Sequence, residues 1–278
     1  MAFKINTNTM GGFSTYQLQK NQQDLSKTLQ RLSTGKRINQ AADDASGMAI
    51  ADQLASQADS LAQAARNAND AISIVQVADG ALAQASELVQ DIRVKAVQAA
   101  GPAQSTESRQ AIQADIDASL EALSQIADTT SFNGQKLLSG TFSDKAFQIG
   151  AASGETLEIS LGSISPDQIS SEDLGTLADI DVTSDEGAQN AIAMADEALA
   201  YISQQRAAVG SEQNQLESTI NNLSSTRVNI LSSESEIRDL DFAEESMNLN
   251  RLKILARARG FAQTQAAETG KRIIDILE

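Results

Sequence analysis

Cysteine and histidine are both missing from this 278-residue chain. Their absence excludes thiol nucleophiles, disulfides, thiolate and imidazole metal sites, and imidazole general bases. A cysteine-free chain also suits a protein that must cross a membrane unfolded. Tryptophan is absent and aromatic residues make up 3% of the chain, so Ala, Leu, Ile and Val must fill any core. Proline occurs only at Pro102 and Pro166, which leaves stretches of roughly 50 residues free of a helix breaker on both sides. No apolar run approaches the roughly 20 residues needed to span a bilayer. The N-terminus, from Met1 to Asn8, lacks the apolar core of a secretory signal peptide, so any export is expected to leave it uncut.

A net charge of −16 argues against a nucleic-acid partner. The charge is unevenly spread. Residues 101–192 hold fifteen acids and three bases, residues 1–50 six bases and three acids, and residues 238–278 seven of each. The acidic middle reads as a solvated region, and the near-neutral ends can pack against copies of themselves.

Helical periodicity dominates both flanks. Gly47, Ala51, Leu54, Ala58, Leu61, Ala65, Ala68, Ile72 and Val75 alternate at spacings of three and four, a heptad seam over four repeats. The pattern continues through Leu82, Val89 and Ala96. A second seam places Ala195, Ile202, Val209, Leu216, Leu223, Ile230 and Ile237 at every seventh residue. Its companion positions are Ile192, Leu199, Arg206, Gln213, Ile220, Arg227 and Glu234. At about 1.5 Å per residue, 192–237 makes a helix on the order of 70 Å long. The four polar companions read either as a wet helix edge or as residues that fix register against a partner helix. Thr183-x-x-Glu186 is a candidate capping box for this helix, and Asp241-x-x-Glu244 for the next. A third helix is expected over 105–128, with Ile112, Ile116, Leu120, Leu123 and Ile126 on one face, folded back after the Gly101-Pro102 break.

The stretch from about 131 to 183 is rich in Gly, Ser, Thr and Asp. Runs at Ala146–Ile149 and Leu157–Leu161 look like a small hairpin. The fold class expected is mainly α: a long antiparallel coiled-coil rod, a small β-hairpin region in the middle, and terminal helices that pair. The domain reading is 1–44 with 238–278 as terminal helices, 45–130 with 187–237 as the rod, and 131–186 as an insert facing outward. The terminal segments 4–33 and 242–277 are amphipathic, with Leu18, Leu25, Leu29 and Leu32 on one and Met247, Leu252, Leu255, Phe261, Ile273 and Leu277 on the other. Neither buries its stripe alone, so both are expected to order fully only when another copy covers them.

Specific residue runs point further. Arg31-Leu-Ser-Thr-Gly-Lys-Arg-Ile-Asn39, followed by Ala42-Asp-Asp-Ala-Ser-Gly-Met-Ala-Ile50, resembles the N-terminal signature of bacterial flagellins. Arg66-Asn-Ala-Asn-Asp70, Ile74-Val-Gln76, Gly80-Ala-Leu82, Thr130–Leu138 and the stretch 229–277 continue the likeness. The resemblance covers roughly 1–140 and 190–278, with an insert of about 50 residues, which marks a minimal member.

It implies a secreted subunit of the flagellar filament. Such a subunit is exported unfolded by the flagellar type III route and polymerises with itself. Its implied partners are an export chaperone and the filament cap and junction proteins. It implies no enzyme, cofactor, metal, nucleic acid or membrane insertion. Assembly residues would be Leu18, Leu25, Leu29, Arg31, Leu32, Asn39, Asp43, Asp44, Leu252, Leu255, Phe261, Ile273 and Leu277. The turn from Asn39 to Ser46 reads either as a cap for the following helix or as a neighbour contact.

Flagellins sensed by the vertebrate innate receptor carry an Arg where this chain has Asp91, a Leu at Lys95 and a Glu at Asp115. In the receptor region Gln90, Asp91, Arg93, Lys95 and Asp115, these departures predict weak or no sensing, unless the positions are simply solvated.

Three other classes share part of this pattern. A zinc-peptidase insert needs a His-Glu-x-x-His helix, and the chain has no histidine. A chemoreceptor rod would need a hairpin tip where this chain is Gly-, Ser- and Thr-rich. The hook–filament junction protein shares the terminal motifs and stands as the alternative.

Overall fold

The structure is a computed structural model, and it describes residues 9–171 and 174–275. Its helices are α1 (Thr9–Thr34), α2 (Ala45–Ala99), α3 (Thr106–Thr129), α4 (Asp185–Arg238) and α5 (Phe242–Asp275). Short strands lie between α3 and α4: β1 (Ser131–Phe132), β2 (Gln135–Lys136), β3 (Lys145–Gln148), β4 (Thr156–Ile159), β5 (Ser170–Ser171) and β6 (Gly175–Thr176). The chain forms two compact units, Gln57–Val228 and the combination of Met1–Ser56 with Asn229–Glu278.

In the larger unit, α2 buries Leu61, Ala64, Ala68, Ala71, Val75, Ala78, Leu82, Ala85, Val89, Ile92, Ala96 and Ala99. From Leu61 to Ala99 these steps alternate three and four, with Ala58 and Ile74 also buried, which keeps one stripe turned to its partners. On α4 the buried stripe is Ala188, Ala191, Ala195, Ala198, Ile202, Val209, Leu216 and Leu223. The two helices run antiparallel in one register: Arg93 pairs with Asp196 at 2.5 Å and Arg206 with Asp79 at 2.9 Å.

The expected companion file needs correction on both helices. Ala65 and Ile72 are only half-buried, and the buried places go to Ala64 and Ala71. On α4, Ile192 and Leu199 give way to Ala191 and Ala198. Apolar residues flank the main stripe on both sides, so the period alone cannot choose between them. Among the polar companions, Arg206 is exposed, as a wet helix edge expects, and reaches α2 through Asp79.

Helix α3 starts one residue later than expected, with Ser105 as its N-cap accepting from the Ser108 amide at 3.2 Å. Ile112, Ile116, Leu120 and Leu123 are buried and join the same core, with Ile126 half-buried against it. The reversal before it is tight: the Gly101 amide donates to the Gln98 carbonyl and the Gln104 amide to the Gly101 carbonyl, both at 3.2 Å.

Strands β3 and β4 pair antiparallel with Phe147 opposite Leu157, the hairpin expected from alternation. A second hairpin, β1–β2, escaped the sequence reading. Its two-residue loop is Asn133-Gly134, both at positive φ (48° and 79°), the signature of a type I′ turn. Helix α4 is capped by Ser184, whose Oγ accepts from the Gly187 amide at 3.0 Å, so the cap falls one residue beyond the expected Thr183.

Ile116 is fully buried between these layers whereas Val94 is 62% exposed. Ile116→Ala should lose about 2–5 kcal/mol of stability, and Val94→Ala less than about 0.5 kcal/mol. Denaturant unfolding of the two variants checks the contrast.

Candidate self-assembly surface

In the smaller unit, the turn that follows α1 closes against the end of α4. The Arg37 amide donates to the Arg238 carbonyl at 2.7 Å, and the Leu240 amide to the Gly35 carbonyl at 3.0 Å. Gly35 sits at φ 68°, where a side chain would be strained. Ile38 is buried beneath this turn.

The carboxylates expected here divide the work. Asp44 caps α2, accepting from the Gly47 amide at 2.9 Å, where the helix end carries partial positive charge. Asp43 accepts from the Asn39 and Gln40 amides, both at 3.2 Å, and lies 3.8 Å from Arg31. Asn39 donates its own amide side chain to the Lys36 carbonyl at 2.8 Å. These bonds agree with the capping reading of the Asn39–Ser46 turn. A Cβ on Gly47 would press on the Asp44 carboxylate and come within 2.9 Å of Ile38 Cδ1, so a side chain there would require both groups to shift.

Helix α5 begins on the expected cap: Asp241 accepts from the Ala243 and Glu244 amides at 2.9 and 3.1 Å. Helix α1 packs antiparallel along α5. Asn21 Nδ2 donates to the Leu252 carbonyl (3.1 Å), Arg259 to the Gln17 carbonyl (2.9 Å) and Gln263 to Thr15 Oγ1 (3.2 Å). Asn248 and Thr28 meet at 3.4 Å.

The leucines of α1 are not the deepest part of the seam between them. Leu18, Leu25 and Leu32 are half-buried, and Leu29 is 47% exposed. The deepest positions of α1 are the polar Asn21 and Thr28, at 0% and 3% exposure. On α5, Leu252 is buried and Leu255 half-buried. Ile273 lies in α5, but its side chain is outside what the structure describes, and Leu277 lies outside the described residues altogether.

The apolar groups left in solvent are informative. Met247, Ile254 and Phe261 recur every seventh residue of α5 and are 67%, 67% and 72% exposed. On α1, Phe13 and Tyr16 are 65% and 62% exposed. A seven-residue repeat keeps these side chains on one stripe, distinct from the one that meets the partner helix. Met247, Ile254, Phe13 and Tyr16 are not among the assembly candidates expected from the sequence, although the 247–254–261 spacing is plain in it.

The receptor-region residues lie in the larger unit. Gln90 and Asp115 are exposed. Asp91 pairs with Lys95 at 3.1 Å, and Lys95 also reaches the Asp115 carbonyl and Ser119 Oγ at 3.4 Å. Arg93 is committed to Asp196. A cleft of about 580 Å³ runs beside them between α2 and α3, floored by Leu88, Ala122 and Ile126 and edged by Glu87 and Asp91. Elsewhere in this unit, burial pushes the Glu212 carboxyl up from its ordinary value, against a backbone hydrogen bond at Ser160. Asp79 raises the Arg206 guanidinium by accepting its hydrogen bond. Among the described residues no three acids lie close enough to hold a metal, and no helix is long and apolar enough to cross a membrane.

Comparison with known proteins places these features. Residues 5–143 match the bacterial flagellin N-terminal helical region and residues 192–277 the bacterial flagellin C-terminal helical region. Flagellin B of Helicobacter pylori is 55% identical over 169 residues, which are 61% of this chain and 33% of that protein. The chain thus spans about a third of the length of that relative. A flagellin of Halalkalibacterium halodurans is 38% identical over 251 residues, 90% of this chain and 91% of the relative. Among solved structures, a protein assigned as a flagellar hook-associated protein of Vibrio parahaemolyticus superposes with a TM-score of 0.61. It is 14% identical, over 71% of this chain and all of that one, a likeness of fold alone.

Proposed function

This chain belongs to the bacterial flagellin family, and from that premise we propose that it is a structural subunit, without catalytic activity, that polymerises into the flagellar filament used for swimming. The observation that carries the proposal is the exposed stripe of Met247, Ile254 and Phe261 on α5. Large apolar side chains in register along a helix mark a surface that another protein covers. The occupant here is a second copy of the chain, whose own stripe has the same composition. The near-neutral charge of residues 238–278 offers no repulsion to such packing, while the acidic middle stays in water.

On this reading the inner layer of the polymer is 1–44 with 238–278, the next layer 45–130 with 187–237, and 131–186 faces outward. Leu18, Leu25, Leu32 and Leu252 hold α1 to α5 within the subunit, and Leu29 and Phe261 remain for neighbours. The chain is secreted through the flagellar type III route. Its C-terminal helix is held by an export chaperone beforehand, and the subunit meets cap and junction proteins at the filament ends. Sequence likeness to a flagellin extends over 90% of the chain, and nothing favours the junction-protein alternative, since the structure of a hook-associated protein is like this one in fold alone. Deleting the gene separates the two: filament bulk is lost for a filament subunit, and attached filaments are shed into the medium for a junction protein.

Sensing by the innate receptor should be weak. An aspartate at position 91, bound to Lys95, replaces attraction by repulsion at an interface centre, at a cost of about 2–5 kcal/mol. The double variant Asp91→Arg, Lys95→Leu should raise activation by depolymerised protein in a reporter-cell assay by at least about tenfold. Strong activation by the unaltered chain would count against this reading.

A further inference from the structure

We propose that Asn21 is the register determinant of the α1–α5 pair, the residue that decides which turn of one terminal helix meets which turn of the other. The proposal stands on the pairing within one subunit and does not require the filament reading.

The seam has an unusual composition. Along α1, one file of the heptad is Leu18, Leu25 and Leu32, and the adjoining file is Ser14, Asn21 and Thr28. The leucine file repeats identically, so a slide of one heptad along α5 still puts leucine in two of its three places, the third going to Gly11 or Asn39. Apolar packing alone therefore discriminates poorly between registers. The polar file does not repeat. Ser14, Asn21 and Thr28 differ in reach and in hydrogen-bonding capacity. Asn21 is fully buried, and its side chain crosses to the Leu252 carbonyl.

The surroundings on α5 sharpen the choice. One heptad from Leu252 in either direction stand Glu245 and Arg259. Glu245 is itself buried, and its Oε1 has no hydrogen-bond partner among the described residues. Arg259 is committed to the Gln17 carbonyl. A slide would carry Asn21 from the Leu252 carbonyl to the carbonyl of Glu245 or Arg259, setting it beside a charged side chain in place of the buried leucine. Asn21 pays for this placement with its own Oδ1, which is buried and unpaired among the described residues. A side chain that lowers stability while fixing one alignment is the pattern of a buried asparagine in a coiled coil.

The absence of native cysteine makes the test direct. Thr15 and Gln263 touch in the observed register, so Thr15→Cys with Gln263→Cys reports that register. Thr15→Cys with Ala256→Cys reports a slide of one heptad. Each pair is oxidised in the full-length chain, and the disulfide yield is measured by peptide mapping. With Asn21 present, the in-register yield should exceed the slid yield by at least about tenfold. Asn21→Leu should bring the two yields within about threefold of each other, while the helical signal melts at a higher temperature. Thr28→Val, which removes a neighbouring polar group of similar shape, should leave the ratio unchanged and shows whether any buried polar loss has the same effect. A preserved ratio in Asn21→Leu, an equal loss in Thr28→Val, or no disulfide in either register with Asn21 present would each overturn the proposal.

Discussion

Removing residues 242–278 should leave a soluble chain that forms no polymer at any accessible concentration. The larger unit, Gln57–Val228, keeps its own core from Ala68 to Leu216, so its helical signal and cooperative melting should persist. What is lost is all of α5: the stripe of Met247, Ile254 and Phe261, and the partner that covers Asn21 and Thr28. Without α5, α1 is a single amphipathic helix of 26 residues with no packing partner, and such helices are marginal in water. Sedimentation before and after addition of filament seeds reads the result. Pelleting of the truncated chain at the level of the full-length one would contradict the assignment of assembly to the terminal pair.

Replacing the stripe alone is the finer experiment. The triple variant Met247→Gln, Ile254→Gln, Phe261→Gln keeps α5 and its contacts with α1, because all three side chains are at least two-thirds exposed. Burial of one such side chain is worth about 1.5–3 kcal/mol, so the three together exceed about 4 kcal/mol. The subunit concentration needed to sustain polymer should rise about a thousandfold or more. The subunit's own melting should shift little, since exposed substitutions change stability by about 0.5 kcal/mol or less. A matched change at Leu252, which is buried against α1, should instead weaken the subunit itself. Unchanged polymer growth in the triple variant would remove the stripe from the account.

The sequence carried most of the helical plan. The seven-residue file is buried as expected from Ala195 to Leu223, because a helix of that period keeps those residues together, while Ile230 and Ile237 at its end are only half-buried. Helix α3, the β3–β4 hairpin and the Asp241 cap were legible for similar local reasons. The choice of companion file was not, because alanine sits on both sides of the main stripe and only the approach of the neighbouring helix selects Ala64 over Ala65. The polar seam was harder still. A pattern search ranks Leu18, Leu25 and Leu32 above Asn21 and Thr28, yet the antiparallel register with α5 buries the polar pair deepest. Of the assembly candidates on the leucine face of α1, Leu18, Leu25 and Leu32 turn partly inward within the subunit while Leu29 stays exposed, and Ile254, which had not been named, stands exposed beside Met247 and Phe261. Hydrophobicity locates a stripe but does not say which partner, intramolecular or intermolecular, will cover it.

Seeded growth of the full-length chain, followed by electron microscopy with amide exchange on the same samples, tests the central claim most directly. The account predicts helical filaments, together with strong slowing of exchange in α1 and α5 on polymerisation as their backbone is withdrawn from opening. Exchange in the buried stripe of α2 from Leu61 to Ala99 should already be slow in the free subunit. A solution that stays monodisperse under seeding, with both terminal helices already protected to the same degree as α2, would contradict it.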